Sequence, residues 1–257
     1  MVRITFLLRR RSGLDLDEFQ TYWRDQHGPL MASFSTDLQV LRYVQVHTIA
    51  DEDHSRLWGP RGQMEEPYDG VAEAWFESLD TFRDAMGSEP GQAAGRALIE
   101  DERTFIDLAR SPIWLNYEYP QVNPTPETLV ATELSSVVKL YFPLRHRPEQ
   151  TLDKAQLYWR THHGPVIRRQ AAGAGILRYQ QIHAAEPEIT QALRSARGTE
   201  VETYTGHAEV WFDRAGGGAT PERRAAARRA YEDEAKFIDF ARSTMWLGKE
   251  HVFVDKR

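Results

Sequence analysis

Two histidines occupy the same phrase in this 257-residue chain: Tyr22-Trp23-Arg24 followed by His27-Gly28-Pro29, and Tyr158-Trp159-Arg160 followed by His163-Gly164-Pro165. An imidazole titrates near neutrality and serves as base or acid, so His27 and His163 are the first candidates for proton transfer. A structural role competes with this, because Gly-Pro disturbs helical hydrogen bonding and an imidazole could cap a freed carbonyl. His47 and His183 stand two residues past Gln45 and Gln181 and four past Tyr43 and Tyr179, a second candidate tyrosine–histidine pair. Their alternative is a satisfied edge histidine. Glu73 and Glu209 alternate with Trp75 and Trp211. A carboxyl against apolar walls has a raised pKa and can act as acid or base, whereas an ion pair with Arg3 or Lys139 would make it structural. His207 breaks the symmetry, since Val71 holds the matching place. With Glu209 it offers two metal-ligand types on one strand face, but no third ligand is fixed by spacing and no metal is expected.

These pairs recur at one offset of 136 residues (27 and 163, 73 and 209), so the chain is a tandem duplication. The units span 1–120 and 134–257, joined by a linker at 121–133 that contains Pro124 and Pro126. Val2, Ile4, Phe6 and Leu8 alternate with Arg3, Thr5 and Leu7, which predicts a strand with one apolar face; Val138, Leu140, Phe142 and Leu144 repeat it. Phe19, Trp23, His27 and Leu30 keep helical spacing after the acidic Asp15, Asp17 and Glu18. Leu41–His47 and Gly70–Phe76 read as strands and Leu98–Arg110 as a helix, its twin opening at Thr220-Pro221. Trp114–Tyr119 and Trp246–Phe253 close the units.

The order strand–helix–strand–strand–helix–strand is the ferredoxin-like plan of an α+β fold. Two tandem βαββαβ units can pack their antiparallel sheets face to face as an intramolecular α/β barrel with a lumen. Alternation at period two then places Arg3, Thr5, Leu7, Lys139 and Tyr141 in the lumen, with Val71, Glu73, Trp75, His207, Glu209 and Trp211. Tyr43, Gln45 and His47, with Tyr179, Gln181 and His183, are assigned there as the more polar set of strand two. The expected pocket is lumenal and aromatic-walled, with Tyr43, Glu73, Trp75, Tyr141 and Trp211 binding substrate. The divergent segments 51–67 and 187–203 are expected to cover the barrel mouth.

Composition narrows the function classes. The net charge of −6 argues against a general nucleic-acid binder. There is no cysteine, which excludes disulfides, thiolate metal sites and cysteine nucleophiles. No run approaches the roughly 20 apolar residues of a membrane span, and the start carries no signal-peptide pattern. A cytoplasmic protein with a small-molecule partner, no membrane partner and possible homo-oligomerisation is expected. Ala171-Ala172-Gly173-Ala174-Gly175 reads as a loop, and Arg223, Arg224, Arg228 and Arg229 as a solvated helix face. His162, beside His163, points elsewhere on its helix.

Trp-Arg-x-x-His-Gly-Pro on the first helix, Leu-Arg-Tyr on strand two and Tyr-x-Gly-x-Ala-Glu-x-Trp-Phe on strand three occur in order, twice. The sequence resembles the EthD family of the dimeric α/β-barrel superfamily, as a covalent two-unit version. The resemblance implies the barrel; its superfamily spans isomerases, cyclases, decarboxylases, cofactor-free monooxygenases and haem enzymes, so fold alone assigns no reaction. The expectation is a cofactor-independent lyase, isomerase or cyclase acting on a small aromatic or polyketide-like carbonyl compound. Its proton transfer would use His27, His47, His163, His183, His207, Tyr179 and Glu209. A non-catalytic small-molecule binder and a haem- or oxygen-dependent oxidoreductase are the alternatives. His207, Tyr141 and His162 accumulate in the second unit, which predicts the more reactive pocket there.

Overall fold

The computed structural model describes residues 1–124, 129–216, 218 and 220–257. The first unit runs β1 (Val2–Leu8), α1 (Leu16–Tyr22), a wide π turn (Trp23–His27), α2 (Gly28–Ser33), β2 (Arg42–Thr48), α3 (Ser55–Trp58), β3 (Gly70–Phe76), α4 (Leu79–Gly87), α5 (Glu89–Phe105) and β4 (Ile113–Val122). The second repeats it with β5 (Val137–His146), α6 (Leu152–Tyr158), a π turn (Trp159–His163), α7 (Gly164–Ala174), β6 (Ile176–Ala185), α8 (Pro187–Arg197), β7 (Gly206–Asp213), α9 (Pro221–Glu234), a short β8 (Ile238–Asp239) and β9 (Trp246–Asp255).

Each unit has the antiparallel ferredoxin-like order, β4-β1-β3-β2 and β9-β5-β7-β6. The sheets also meet at their edges. β4 pairs with β6, Tyr117 opposite His183, and β2 pairs with β9, Gln45 opposite His251. Eight strands thus close one barrel, with no unpaired edge between the units, and the helices lie outside it. Closure needs both units, because each contributes the edge that the other lacks.

Local signals explain the helix boundaries. Asp15 caps α1 in a reciprocal capping box with Glu18, and Thr220 caps α9 ahead of Pro221. The predicted helix at Leu98–Arg110 is longer and earlier, Glu89–Phe105, capped by Ser88 and preceded by the extra α4. Its last predicted turn is a separate 3₁₀ turn, Leu108–Arg110. β4 runs through Pro120 to Val122, beyond the predicted linker start. Ala131, in that linker, is tied to Glu250 of β9 by backbone and side-chain bonds of 2.8 Å. Linker residues 125–128 lie outside the described residues.

Two kinds of core result. Outside the barrel, Ile4, Phe6 and Leu8 of β1 and Ala72, Ala74 and Phe76 of β3 face the helices, as alternation predicts. Inside, Leu7, Val44, Val46, Val71, Trp114 and Trp246 pack together. Strand two is therefore in the opposite phase from the prediction. Val44 and Val46 fill the lumen, and Tyr43, Gln45 and His47 turn to the helices, as do Tyr179, Gln181 and His183. A one-residue phase choice moves a whole strand face, and here polarity was a misleading guide.

Candidate active site

Pro29 lacks an N–H and its ring would strike the carbonyl four residues back in a regular α-helix. The helix answers by widening ahead of it: Gly28 N–H reaches back five residues to the carbonyl of Trp23, and Gly164 N–H does the same to Trp159. Those carbonyls also accept the Nε2 amides of Gln45 (2.8 Å) and Gln181 (2.9 Å) from strand two. The polar residues of that strand face the helices, where the glutamine supplies the wide turn with a second donor to this carbonyl. The carbonyl role considered for the imidazole belongs to glutamine instead. Glycine follows the histidine for steric reasons: a Cβ on Gly28 would collide with the Phe253 ring, and one on Gly164 with Gln121.

The histidines released from capping point to a carboxylate. His27 Nδ1 lies 2.7 Å from Asp101 Oδ2 and His163 Nδ1 lies 2.9 Å from Asp233 Oδ2. The second oxygens accept Tyr22 and Tyr158, both at 2.7 Å. The hydrogen bond from His27, against the opposing effect of burial and with help from Tyr22, holds the Asp101 carboxyl below its ordinary range. Burial pushes Asp233 up, but hydrogen bonds from His163, Tyr158 and Lys236 outweigh it and hold that carboxyl low. An ionised carboxylate accepts Nδ1–H and so fixes the neutral tautomer with its lone pair on Nε2. Among the described residues, Nε2 of neither histidine has a hydrogen-bond partner.

Both rings line cavities between the barrel wall and the helices. The first, about 510 Å³, is bounded by Ile4, Phe6, Trp23, His27, Tyr43 and Leu98 among others. The second, about 640 Å³, is bounded by Phe142, Trp159, His163, Ile167, Tyr179 and Met245 among others. These volumes suit a small organic ligand. In the second, the Tyr179 hydroxyl accepts Trp159 Nε1 and Gln181 Nε2, each at 3.1 Å, which leaves its proton to donate. Burial raises both Tyr43 and Tyr179, so each remains a protonated donor. Each cavity thus pairs one imidazole base with one phenol donor in an apolar wall.

The roofs cross over. Ile189, Leu193 and Arg197 of α8, from the second unit, cover the first cavity; Leu57 and Arg61, from the first unit, cover the second. Arg197 is held by Glu102 in two bonds of 2.8 Å and Arg61 by Glu234 at 2.7 Å. The segments 51–67 and 187–203 therefore contribute to the helix-side cavities of the opposite unit, while Glu65 of the first also accepts the Tyr204 hydroxyl at the end of the lumen.

The EthD domain model matches residues 11–109 and again 147–241. The chain belongs to the EthD family. No curated protein matches it. Among solved structures, one described as a candidate monooxygenase of Fusobacterium nucleatum is similar at a TM-score of 0.52 and 6% identity, over 98% of this chain and 93% of that one. An anthrone oxidase-like protein gives 0.48 at 9% identity, over 100% and 94%. At such identity the Fusobacterium likeness is one of fold.

In this two-unit EthD protein the lumenal space beside Glu73, Lys139 and Glu209 is about 20 Å³. Arg3 Nη2 reaches Glu73 (2.7 Å), Tyr141 (3.1 Å), His207 (2.9 Å) and Glu209, while Nη1 reaches Glu118 at 3.0 Å. Lys139, the equivalent of Arg3, contacts Glu73 (2.8 Å), Glu209 (3.2 Å) and Glu250 (3.4 Å). Trp75 and Trp211 donate to Glu118 and Glu250 at 2.7 and 2.8 Å. The ion-pair alternative for Glu73 and Glu209 is what the lumen contains. Burial beside Glu209 pushes Glu73 up to about 7, although Arg3 and Lys139 oppose it. Glu209 is held well below the carboxylate range by Arg3 and Lys139 despite burial. Glu73, His207 and Glu209 present donors within 4.8 Å of one another, yet Arg3 and Lys139 already supply the positive charge, so a metal fits poorly.

The remaining expected site residues divide by face. Tyr141 and His207 stack at 4.5 Å inside the lumen, and burial drives His207 down to about 3. His47 and His183 stack on Trp23 and Trp159, both at 4.6 Å, behind the cavities; burial lowers both, His183 to about 3. His162 is exposed on Tyr158. The additions that set the second unit apart thus avoid its cavity. Asp101 and Asp233 were missed, although Glu100-Asp101-Glu102 and Glu232-Asp233-Glu234 repeat at the 132-residue offset of Phe105 and Phe237.

Proposed function

We propose that this EthD protein is a cofactor-independent enzyme that removes a proton next to the carbonyl, or from the phenol, of a small aromatic molecule. The observation that carries the proposal is the Asp–His pair, present in both units, whose unpartnered Nε2 belongs to the wall of an apolar cavity. Nε2 of His27 or His163 takes the proton, Asp101 or Asp233 stabilises the imidazolium formed, and Tyr43 or Tyr179 donates to the oxygen that gains charge. Apolar walls exclude water that would compete for the enolate. The enolate then takes the proton back from the imidazolium at another carbon, attacks an internal carbonyl or expels a leaving group, according to the substrate.

The test is hydrogen–deuterium exchange of α-tetralone, 1-indanone and acetophenone in heavy water, followed by proton NMR. Exchange above that of imidazole buffer is expected, with a loss of about 10²- to 10⁴-fold in the His27→Ala/His163→Ala double variant. Binding of these ketones without exchange would replace the enzyme by a carrier. An imidazole with an aspartate on Nδ1 and a free Nε2 is also a suitable axial ligand for haem iron, so the second reading is haem binding. A Soret band after titration with haemin, abolished by the same double variant, would favour it.

A further inference from the structure

The roof helix α8 faces a cavity on each of its two sides. Ile189, Ala192, Leu193, Ala196 and Arg197 cover the first cavity, whereas Pro187, Thr190, Gln191 and Arg194, on the opposite side of the same 11-residue helix, line a third. The third cavity is about 550 Å³ and is also bounded by Arg145, His146, Leu152, Ala184, Ala185 and Thr205 among others. Shorter side chains than those of the first unit make room for it. Where the first unit has Arg10 bound to Asp69, the second has His146 beside Thr205 at 2.8 Å; where the first has Thr48 and Ile49, the second has Ala184 and Ala185.

The charged groups of this wall are matched with one exception. Arg145, 6% exposed, is held by both oxygens of Glu65, at 2.9 and 3.0 Å, and by the carbonyls of Arg242 and Glu202. Arg242 pairs with Glu202, which lines the cavity too. Burial lowers His146, so it adds no charge at neutral pH. Arg194 makes no ion pair among the described residues: it donates to Gln191 Oε1 at 3.3 Å and to the Val201 carbonyl at 2.9 Å, both neutral. Nε of Arg145 and Nε of Arg194 are buried, and among the described residues neither has a hydrogen-bond partner. A buried N–H without an acceptor costs about 1–3 kcal/mol, and a planar carboxylate suits the edge of a guanidinium.

We propose that the third cavity binds a small carboxylate between Arg145 of the barrel and Arg194 of α8, with its apolar part against Leu152, Ala184 and Ala185. The two arginines belong to different layers, so both contacts are made together only while α8 stays docked on the barrel. The bound carboxylate therefore fastens the roof of the first cavity from behind. It gives the second unit a regulatory site over the first, whatever molecule the first cavity takes.

Benzoate, with benzamide as its uncharged counterpart, tests this by NMR titration of the full chain. Benzoate should bind saturably and shift the Nε–H signals of Arg145 and Arg194, and benzamide should do neither. With benzoate at about ten times its Kd, amide exchange in α8 should slow about tenfold. His146→Arg/Thr205→Asp rebuilds the first unit's pair across the cavity, leaves the net charge of its wall unchanged at neutral pH, and should abolish both effects. Arg194→Gln keeps a donor for the Val201 carbonyl and should weaken benzoate about tenfold; it decides the matter if the double variant does not fold. Absence of benzoate binding, equal binding of benzamide, or benzoate binding that survives both variants would overturn the site. Exchange in α8 unmoved by bound benzoate would overturn the fastening of the roof.

Discussion

An imidazole is ambiguous until its two nitrogens are accounted for. His27 and His163 lose that ambiguity to Asp101 and Asp233, which take Nδ1–H and leave Nε2 to the cavity. Asp101→Asn with Asp233→Asn can turn the amide to donate to Nδ1 and so place the proton on Nε2, where it cannot act as base. Exchange should fall by about 10²-fold or more while ketone binding is kept, and ¹⁵N shifts of the imidazoles should report the other tautomer. Unchanged shifts would show that aspartate does not set the tautomer. Burial produces a separate residue-scale effect at His183, whose folded pKa of about 3 lies below the ordinary 6.5. The unfolded chain binds the extra proton, so this contribution is complete above pH 6.5 and is lost as pH falls towards 3. Glu73, raised to about 7, works in the opposite sense between pH 7 and its ordinary 4.5. Comparison with His183→Phe, which keeps a ring on Trp159, isolates the histidine. From pH 7 to 4.5 the wild type should lose about 2–3 kcal/mol more than the variant in urea unfolding, at about 1.4 kcal/mol per pH unit for one proton. Parallel curves would refute a neutral buried His183.

At the scale of elements, the wide helical turn and strand two form one device. Pro29 and Pro165 demand the widening, Gln45 and Gln181 satisfy its carbonyl, and the turn sets the direction of the histidine that ends it. Gln181→Leu removes the second donor from a buried carbonyl that also accepts Gly164 N–H, and a partner from the Tyr179 hydroxyl. It should cost about 1–3 kcal/mol, and disorder in the turn should appear as faster amide exchange at Gly164. A neutral substitution would mean the π turn stands without its strand partner. The same device explains why a polar strand face turns away from the lumen: alternation sets which residues share a face, but a donor requirement on the neighbouring helix decides which face is outside.

At the scale of the molecule, the two units are bonded through their lumenal charges. Arg3 of the first contacts Glu209 of the second, and Lys139 of the second contacts Glu73 of the first. Lys139→Met removes the cation shared by the buried carboxylates of Glu73, Glu209 and Glu250, and a loss of about 3–5 kcal/mol is expected. Adding Glu73→Gln should restore part of it, because the charge left unbalanced is smaller; strict additivity of the two changes in a double-mutant cycle would show that the network does not act as a unit.

Duplication, element order, the phases of β1 and β3 and the motif histidines were all legible in the sequence, because periodicity and repetition are local properties of a chain. Arg3, Glu73 and their repeats were correctly placed in the lumen for that reason, and the alternative of an ion pair was visible in their types. What the lumen contains was decided by tertiary structure: buried cations, their carboxylates and paired tryptophans fill it, and packing volume cannot be read from alternation. The phase of β2 and β6 was settled by a carbonyl on another element. The functional pairing was settled the same way, since 74 residues separate His27 from Asp101 and only the helix layer brings them to 2.7 Å. The crossing of the roofs depends on barrel closure, which carries α8 of one unit over the cavity of the other. Sequence distance carries no trace of that contact, because it exists only once both sheet edges have joined.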